Sequence, residues 1–330
     1  MSENPITALS VIVPVYNEAE SLPRLLETLT AVLTGLPYTY EIILVNDGST
    51  DGSLSVMRAF GATHPEVKVV DFRRNYGQTA ALMAGIDHAT NDVVVMIDAD
   101  LQNDPTDIPR LLAKLDEGYD VVSGWRKDRK DAQIRRNWIS RVANRLISRV
   151  SGVRLNDYGC TLKAYRRSVV SGIRLYGEMH RFIPIYAQWQ GARITELSVT
   201  HHARKFGQSK YGLERVFKVV LDLLVVVFLR NFFAKPIYLF GGCGIAAIIL
   251  SFITIGLALV MRIFFGVSLI LTPLPLLSAL LFLVGMMSIL MGLVAEMMVR
   301  TYYESQGARA YLVRELINFG DWAATKPAPK

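Results

Sequence analysis

The sequence predicts an α/β domain on a mainly parallel sheet, followed by an interfacial helix and two C-terminal transmembrane helices. Three observations lead there. Residues 1 to 213 alternate short apolar runs with helical patterns, the signature of βαβ units. The run Asp92-Val93-Val94-Val95-Met96-Ile97-Asp98-Ala99-Asp100 reads as a buried strand that ends in two carboxylates one residue apart. Pro236 to Met261 and Ile263 to Ala295 contain no charged residue, and each can cross a hydrocarbon core of roughly 30 Å, which takes about 20 helical residues. These apolar segments explain why a chain of 330 residues is 51% hydrophobic, with a mean hydropathy of +0.29.

In the first 213 residues, strands are expected near Ser10–Val15, Glu41–Asn46, Val67–Phe72, Asp92–Ile97 and Asp120–Ser123. Helices fill the gaps at Ser21–Thr34, Asp51–Ala62, Gln78–Ala89 and Thr106–Glu117, with short connections and right-handed crossovers. In such sheets ligands bind beyond the carboxyl ends of the strands, and the polar residues cluster there. Pro14-Val15-Tyr16-Asn17-Glu18 follows the first strand, Asn46-Asp47-Gly48-Ser49-Thr50-Asp51-Gly52 the second, and Arg73-Arg74-Asn75-Tyr76-Gly77 the third. Asp47 can accept hydrogen bonds from a base or ribose, and Gly48 and Gly52 permit tight turns. The same stretch is equally good turn and helix-capping chemistry. Asp98 and Asp100 leave their strand on the same side, and small Ala99 lets a ligand approach the backbone. The pair therefore suits Mg²⁺ or Mn²⁺ carrying a diphosphate, where the plainer alternative is an acidic turn.

The membrane spans are placed at about 236–261 and 274–298, within a hairpin of residues 236–299. Arg215, Lys218, Arg230 and Lys235 precede the hairpin, Arg300, Arg309 and Arg314 follow it, and only Arg262 lies between the spans. This asymmetry predicts a multi-pass protein of the cell (inner) membrane with both termini cytoplasmic. Residues 214–235 are apolar but interrupted by Lys218, Asp222 and Arg230, which suits a helix lying among headgroups. Residues 300–330 are expected as a cytoplasmic tail. No signal peptide is read at the N-terminus, and Cys160 and Cys243 fall in such different segments that a reducing compartment is consistent. Gly241, Gly242, Gly244 and Ala246 allow close helix approach, compatible with a homo-oligomer.

Taken together, Ser10-Val-Ile-Val-Pro-Val-Tyr-Asn-Glu18, Val45-Asn-Asp-Gly-Ser-Thr-Asp51 and Ile97-Asp-Ala-Asp-Leu-Gln102 resemble family 2 glycosyltransferases of the GT-A fold. Gly124-Trp125-Arg126, Asp157-Tyr158-Gly159-Cys160 and Arg204 to Tyr211, followed by two spans, resemble the polyprenyl-phosphate sugar transferases within it, the dolichyl-phosphate mannose synthase and bactoprenol glucosyltransferase group. The resemblance implies a nucleotide held by Pro14, Tyr16, Glu18 and Asp47, a metal by Asp98, Asp100 and Gln102, and a diphosphate also by Arg204 and Lys210. One departure is Gln102-Asn103-Asp104-Pro105, where relatives often carry Gln-Asp-Pro-Pro; it leaves the metal positions intact but puts Asp104 in doubt as a helper carboxylate.

The most basic soluble segment runs from Arg126 to Arg149, and from Trp138 it becomes amphipathic, with Ile139, Val142, Leu146 and Val150 on one face. Such a helix can lie on an anionic leaflet. Nucleic acid is discounted, because aromatic interleaving is sparse and the chain is tied to a bilayer. Similarity to the family matches Arg126, Arg136 and Ser140 to its acceptor-phosphate positions, and Asp157 is the remaining carboxylate expected to hold a sugar hydroxyl or orient the acceptor. The implied reaction moves a sugar, glucose from UDP-glucose being favoured, onto undecaprenyl or another polyprenyl phosphate with inversion. Two other classes compete. A processive polysaccharide synthase is disfavoured because Gln133 to Trp138 only approaches the Gln-x-x-Arg-Trp motif of those enzymes, and a non-catalytic scaffold or flippase because the ligand residues are intact.

Overall fold

A strand buried on both faces can be apolar along most of its length, and β1 (Ala8–Val15), at the centre of the sheet, is apolar but for Ser10, whose hydroxyl donates to Glu41. The computed structural model describes residues 5–127, 148, 151–173, 175, 179–203, 237–304 and 311–320. The chain divides into two compact units, one of Met1–Leu223 with Arg309–Ala328, the other of Leu224–Ala308 with Pro329–Lys330.

In the first unit β1 pairs in parallel with β2 (Thr39–Asn46) on one side and β4 (Val93–Met96) on the other, and β2 pairs in parallel with β3 (Val67–Phe72). Leu9, Val11, Val13 and Val15 share a core with α1 (Leu22–Thr34) and α4 (Ile108–Asp116). The α1 stripe Leu22, Leu25, Leu26, Leu29 and Leu33 follows the helical period and is fully buried. α2 (Ser53–Thr63) follows β2. α3 (Gln78–His88) covers the opposite face of β1 and is buried along most of its length. It packs so tightly that a Cβ on Gly85 would lie 2.2 Å from Cγ2 of Ile12. These elements agree with the expected ones to within one or two residues, the ordinary scatter of element ends.

The sheet as a whole is mixed, in the order β7-β5-β6-β4-β1-β2-β3-β8. β6 (Lys163–Arg166) enters antiparallel between β4 and β5 (Val121–Trp125), and β7 (Ile194–Ser198) lies parallel to β5. Short helices α5 (Arg167–Val170) and α6 (Ile183–Trp189) connect them, with a 3-10 turn at Met179–Phe182. Beyond the sequence expectation, part of the segment read as a tail is the edge strand β8 (Val313–Ile317), antiparallel to β3. The Tyr311 ring stacks on Phe72 with centroids 5.0 Å apart, and its hydroxyl donates to Asp87 at 2.8 Å. Asn318 Nδ2 donates to the carbonyls of Gly61 at 2.7 Å and Val67 at 2.8 Å.

The second unit contains α7 (Ile237–Phe265) and α8 (Leu274–Glu304), two apolar helices packed together. Leu239–Phe265 has a mean hydropathy of 2.6 and Leu274–Ala295 one of 2.4, lengths and compositions compatible with membrane spans. Gly244 faces Gly285, where a Cβ on either would meet the other's carbonyl oxygen at 2.7 Å. Ser251 and Ser278 exchange hydroxyl-to-carbonyl bonds of 2.8 and 2.9 Å. Gly244 thus serves contact inside the hairpin, whereas Gly242 has open space beside it. The expected interfacial helix at 214–235 and the basic helix after Trp138 lie outside the described residues.

Candidate active site

The loops after β1, β2 and β3 meet at the carboxyl edge of the sheet and hold one another. Asn17, at φ 56°, donates its amide to Ser49 Oγ at 3.1 Å and accepts from the Thr50 amide at 2.8 Å. The Glu18 amide donates to Ser53 Oγ at 2.9 Å, and the Glu18 carboxylate accepts from Ser21 Oγ at 2.7 Å. Gly48, at φ +67°, is forced to be glycine twice over, since a Cβ would also lie 2.4 Å from the carbonyl carbon of Arg74. Buried Asp47 accepts from the amides of Tyr76 at 2.6 Å and Gly77 at 3.0 Å, tying the second loop to the third and to the start of α3. Burial pushes the Asp47 carboxyl up to about 6, against the effect of those two amides. Pro14 pairs in register with Val45, next to the last pair, Val15 with Asn46, and Tyr16, which follows, is 37% exposed.

Asp98 and Asp100 sit one loop away, where the chain turns through Leu101 at φ 59°. Asp98 accepts from Gln78 Nε2 at 2.8 Å through one oxygen and from Thr161 Oγ1 at 2.7 Å through the other. Asp100 accepts from the Gln102 amide at 3.1 Å, and buried Ala99 lies between the two acids. Burial, then repulsion from Asp100, pushes the Asp98 carboxyl up to about 6. Among the described residues no cluster of three or more His, Cys, Asp or Glu side chains is placed to hold a metal by itself. Two crowded carboxylates of this kind fit a hard cation that completes its shell with water and phosphate oxygens. Asp104 is accounted for otherwise: it accepts from the Thr106 amide at 2.9 Å and faces His202 Nε2 at 2.8 Å.

On the far side of the acids, Arg126 and Asp157 form a fork-to-carboxylate pair, Nε to Oδ2 at 2.7 Å and Nη2 to Oδ1 at 3.0 Å. Their side chains are only 12% and 9% exposed. Glu196 on β7 accepts the Asp157 amide at 3.0 Å and the Asn156 amide, which pins the loop that carries the pair. Behind it, Lys163 on β6 is buried and donates to the carbonyls of Tyr158, at 3.3 Å, and Cys160. His180 Nδ1 and Thr79 Oγ1 lie 2.8 Å apart, joining the 3-10 turn to α3.

This arrangement can be compared with known proteins. Residues 10–174 match the model described as Glycosyl transferase family 2. Dodecaprenyl-phosphate galacturonate synthase of Rhizobium johnstonii is 41% identical over 314 residues, covering 94% of this chain and 93% of that one. The chain belongs to glycosyl transferase family 2. Among solved structures, glucosyl-3-phosphoglycerate synthase from Mycobacterium tuberculosis, in complex with Mn²⁺, UDP and glucosyl-3-phosphoglycerate, is similar with a TM-score of 0.54 at 19% identity, over 68% of this chain and 80% of that one. Its complex with Mn²⁺ and UDP-glucose gives a TM-score of 0.52 at 20% identity, over 67% and 79%. The likeness establishes the GT-A fold.

In this family 2 glycosyltransferase, Pro14, Tyr16, Glu18 and Asp47 gather on one edge, and Asp98, Asp100 and Gln102 form the adjoining loop. Arg126 and Asp157, which the sequence reading assigned separate tasks, hold each other. Arg136, Ser140, Arg204 and Lys210 lie outside the described residues. Gln78, Thr161 and Lys163 escaped the sequence reading. A lysine inside Leu162-Lys163-Ala164-Tyr165, otherwise an apolar strand, was the signal available for the last.

Proposed function

We propose that this glycosyltransferase moves a sugar from a nucleotide diphosphate to the phosphate of a polyprenyl phosphate, by single displacement with inversion at the anomeric carbon. The observation that carries the reading is the likeness to dodecaprenyl-phosphate galacturonate synthase, which runs through the membrane hairpin as well as the sheet domain. The loops that hold Asp47 and present Tyr16 would bind the nucleotide. Asp98, Asp100 and Gln102 would hold Mg²⁺ or Mn²⁺, which when bound neutralises charge on the departing diphosphate. Arg204 and Lys210 add cationic contacts to the same group, on the strength of the family resemblance. The acceptor is a phosphate monoester with a second pKa near 6, so it reaches the site mostly as a dianion and needs no strong general base. Arg136 and Ser140 would receive that phosphate. Arg126 holds Asp157, and the pair would orient the acceptor, with guanidinium N–H groups not bonded to Asp157 donating to its phosphate.

For the donor, the resemblance to bactoprenol glucosyltransferases favours UDP-glucose, and the 41% identical relative favours a galacturonate. The second rests on the closer likeness and is the reading adopted. A membrane location with the catalytic unit on the cytoplasmic side is supported by the basic flanks and by β8, because a chain that crosses twice and returns a strand to its own sheet has both flanks on one side. The test is purified full-length protein in detergent with a short polyprenyl phosphate and UDP-galacturonate or UDP-glucose. A chelator-sensitive uronate glycolipid, identified by mass, is expected. Preference for UDP-glucose would restore the glucose reading, and no glycolipid with either donor would retire the transferase reading.

A further inference from the structure

The pairing of β8 with β3 slips at Asp71 and Phe72. Glu315 pairs with Asp71 and Val313 with Phe72, which leaves Arg314 as an extra residue on the edge strand. In an unbroken ladder Arg314 would stand opposite Phe72, with its side chain on the other face from Asp71. Instead its guanidinium reaches both Asp71 and the loop after β3: Nε lies 3.7 Å from Asp71 Oδ2, and Nη2 donates to the Arg73 carbonyl at 3.0 Å. The Arg73 amide in turn donates to the Leu312 carbonyl at 3.1 Å.

Asp71 is fully buried, and its Oδ2 has no hydrogen-bond partner among the described residues, so the nearby guanidinium offsets a charge that water does not reach. Its Oδ1 accepts from Asn46 Nδ2 at 2.7 Å, and Asn46 Oδ1 accepts from the Ser49 amide at 3.1 Å. One cation thus stands at the root of two loops, after β3 through Arg73 and after β2 through Asp71 and Asn46, the neighbour of Asp47. Other contacts of this segment go elsewhere: Glu315 to Arg58 on α2, Asn318 to the carbonyls of Gly61 and Val67, and Tyr311 to Asp87 on α3. Those contacts hold the strand, whereas Arg314 holds the loops. We infer that Arg314 is a positioning residue for the nucleotide, supplied by the strand that follows the two apolar helices in sequence and acting through Asp71 and the Arg73 carbonyl. The inference rests on the nucleotide-sugar reading above. Since its contacts are with loops that would bind the nucleotide, losing it should weaken nucleotide binding and leave the chemical step as it was.

The experiment is calorimetric binding of UDP with Mn²⁺ to the full-length wild type, to Arg314→Ala and, for comparison, to Arg58→Ala, which removes the exposed pair with Glu315. Arg314→Ala should weaken UDP binding by about 10-fold, the size of a hydrogen bond from a charged group. Arg58→Ala should change it by less than about twofold, as befits a surface ion pair. In the glycolipid assay, with the donor that wild type uses, KM for that donor should rise in Arg314→Ala by the same factor while kcat stays within about twofold. Should Arg314→Ala fail to fold by thermal scan, Arg314→Lys is read in its place, with a loss of about threefold expected because one ammonium lacks the fork that reaches both partners. UDP affinity equal to wild type in the Arg314 variant, an equal loss in Arg58→Ala, or a fall in kcat at unchanged KM overturns the positioning role and leaves the nucleotide-sugar reading standing. Failure of wild type to bind UDP overturns that reading and the inference with it.

Discussion

The two halves of the active site are built differently. On the side proposed for the nucleotide, three loops that each follow a strand in the parallel core stitch together through short polar contacts, Asn17 to Ser49 and Thr50, and Asp47 to Tyr76 and Gly77. On the side proposed for the sugar and acceptor, single residues from distant parts of the chain meet: Gln78, Asp98 and Thr161 in one contact, Arg126, Asp157 and Glu196 in another. The first half depends on local turn chemistry carried by contiguous motifs, so a fault there loosens loops. The second depends on buried charges that compensate one another, so a fault there strands a charge.

The largest effect is expected where the two halves meet. Asp100→Ala removes one of the paired acids and should lower turnover by about 10²- to 10³-fold, the range seen when a preorganised charge-stabilising group is lost. Thermal unfolding should be unchanged, and a retained rate of glycolipid formation would break the assignment. Arg126→Ala leaves Asp157 buried without its cation. A destabilisation of about 3–5 kcal/mol in denaturant is expected, and adding Asp157→Asn should recover part of it. If the single variant is as stable as wild type, the sugar side does not rest on compensated charge.

Gly48→Ala tests the nucleotide side, where the strain at φ +67° and the contact with Arg74 predict a loss of about 1–3 kcal/mol, together with weaker UDP binding. The smallest effect concerns pH. With its carboxyl pushed up to about 6, Asp47 keeps a proton in the folded chain that the unfolded chain releases near pH 4. Stability should therefore fall as pH rises from about 4 to about 6 and level off above. Asp47→Ala should shallow that decline in a series of thermal midpoints, and a slope identical to wild type would contradict the assignment.

The same contrast explains what could be read before the structure. β1 to β5 were legible as short apolar runs, and α1 to α4 as the helical patterns between them. β6, β7 and β8 were not, since four or five residues such as Lys163–Arg166 or Val313–Ile317 carry little period-2 signal and become strands only because β4, β5 and β3 offer them an edge. Asp98 and Asp100 announce themselves one residue apart. Arg126 and Asp157 do not, because 31 residues separate partners whose pairing exists only in three dimensions. Lys163 is legible only as an oddity, a charged residue inside an otherwise apolar strand.

The central claim is that the paired acids hold a cation against a nucleotide diphosphate. Diffraction from crystals of the full-length protein grown with MnCl₂ and UDP, collected at the manganese absorption edge, tests it most directly. The account predicts an anomalous peak bound by the Asp98 and Asp100 carboxylates and touching the diphosphate, with the uridine between the loops after β1 and β2. An anomalous map with no peak at those acids, while UDP is bound in the same crystal, would contradict it.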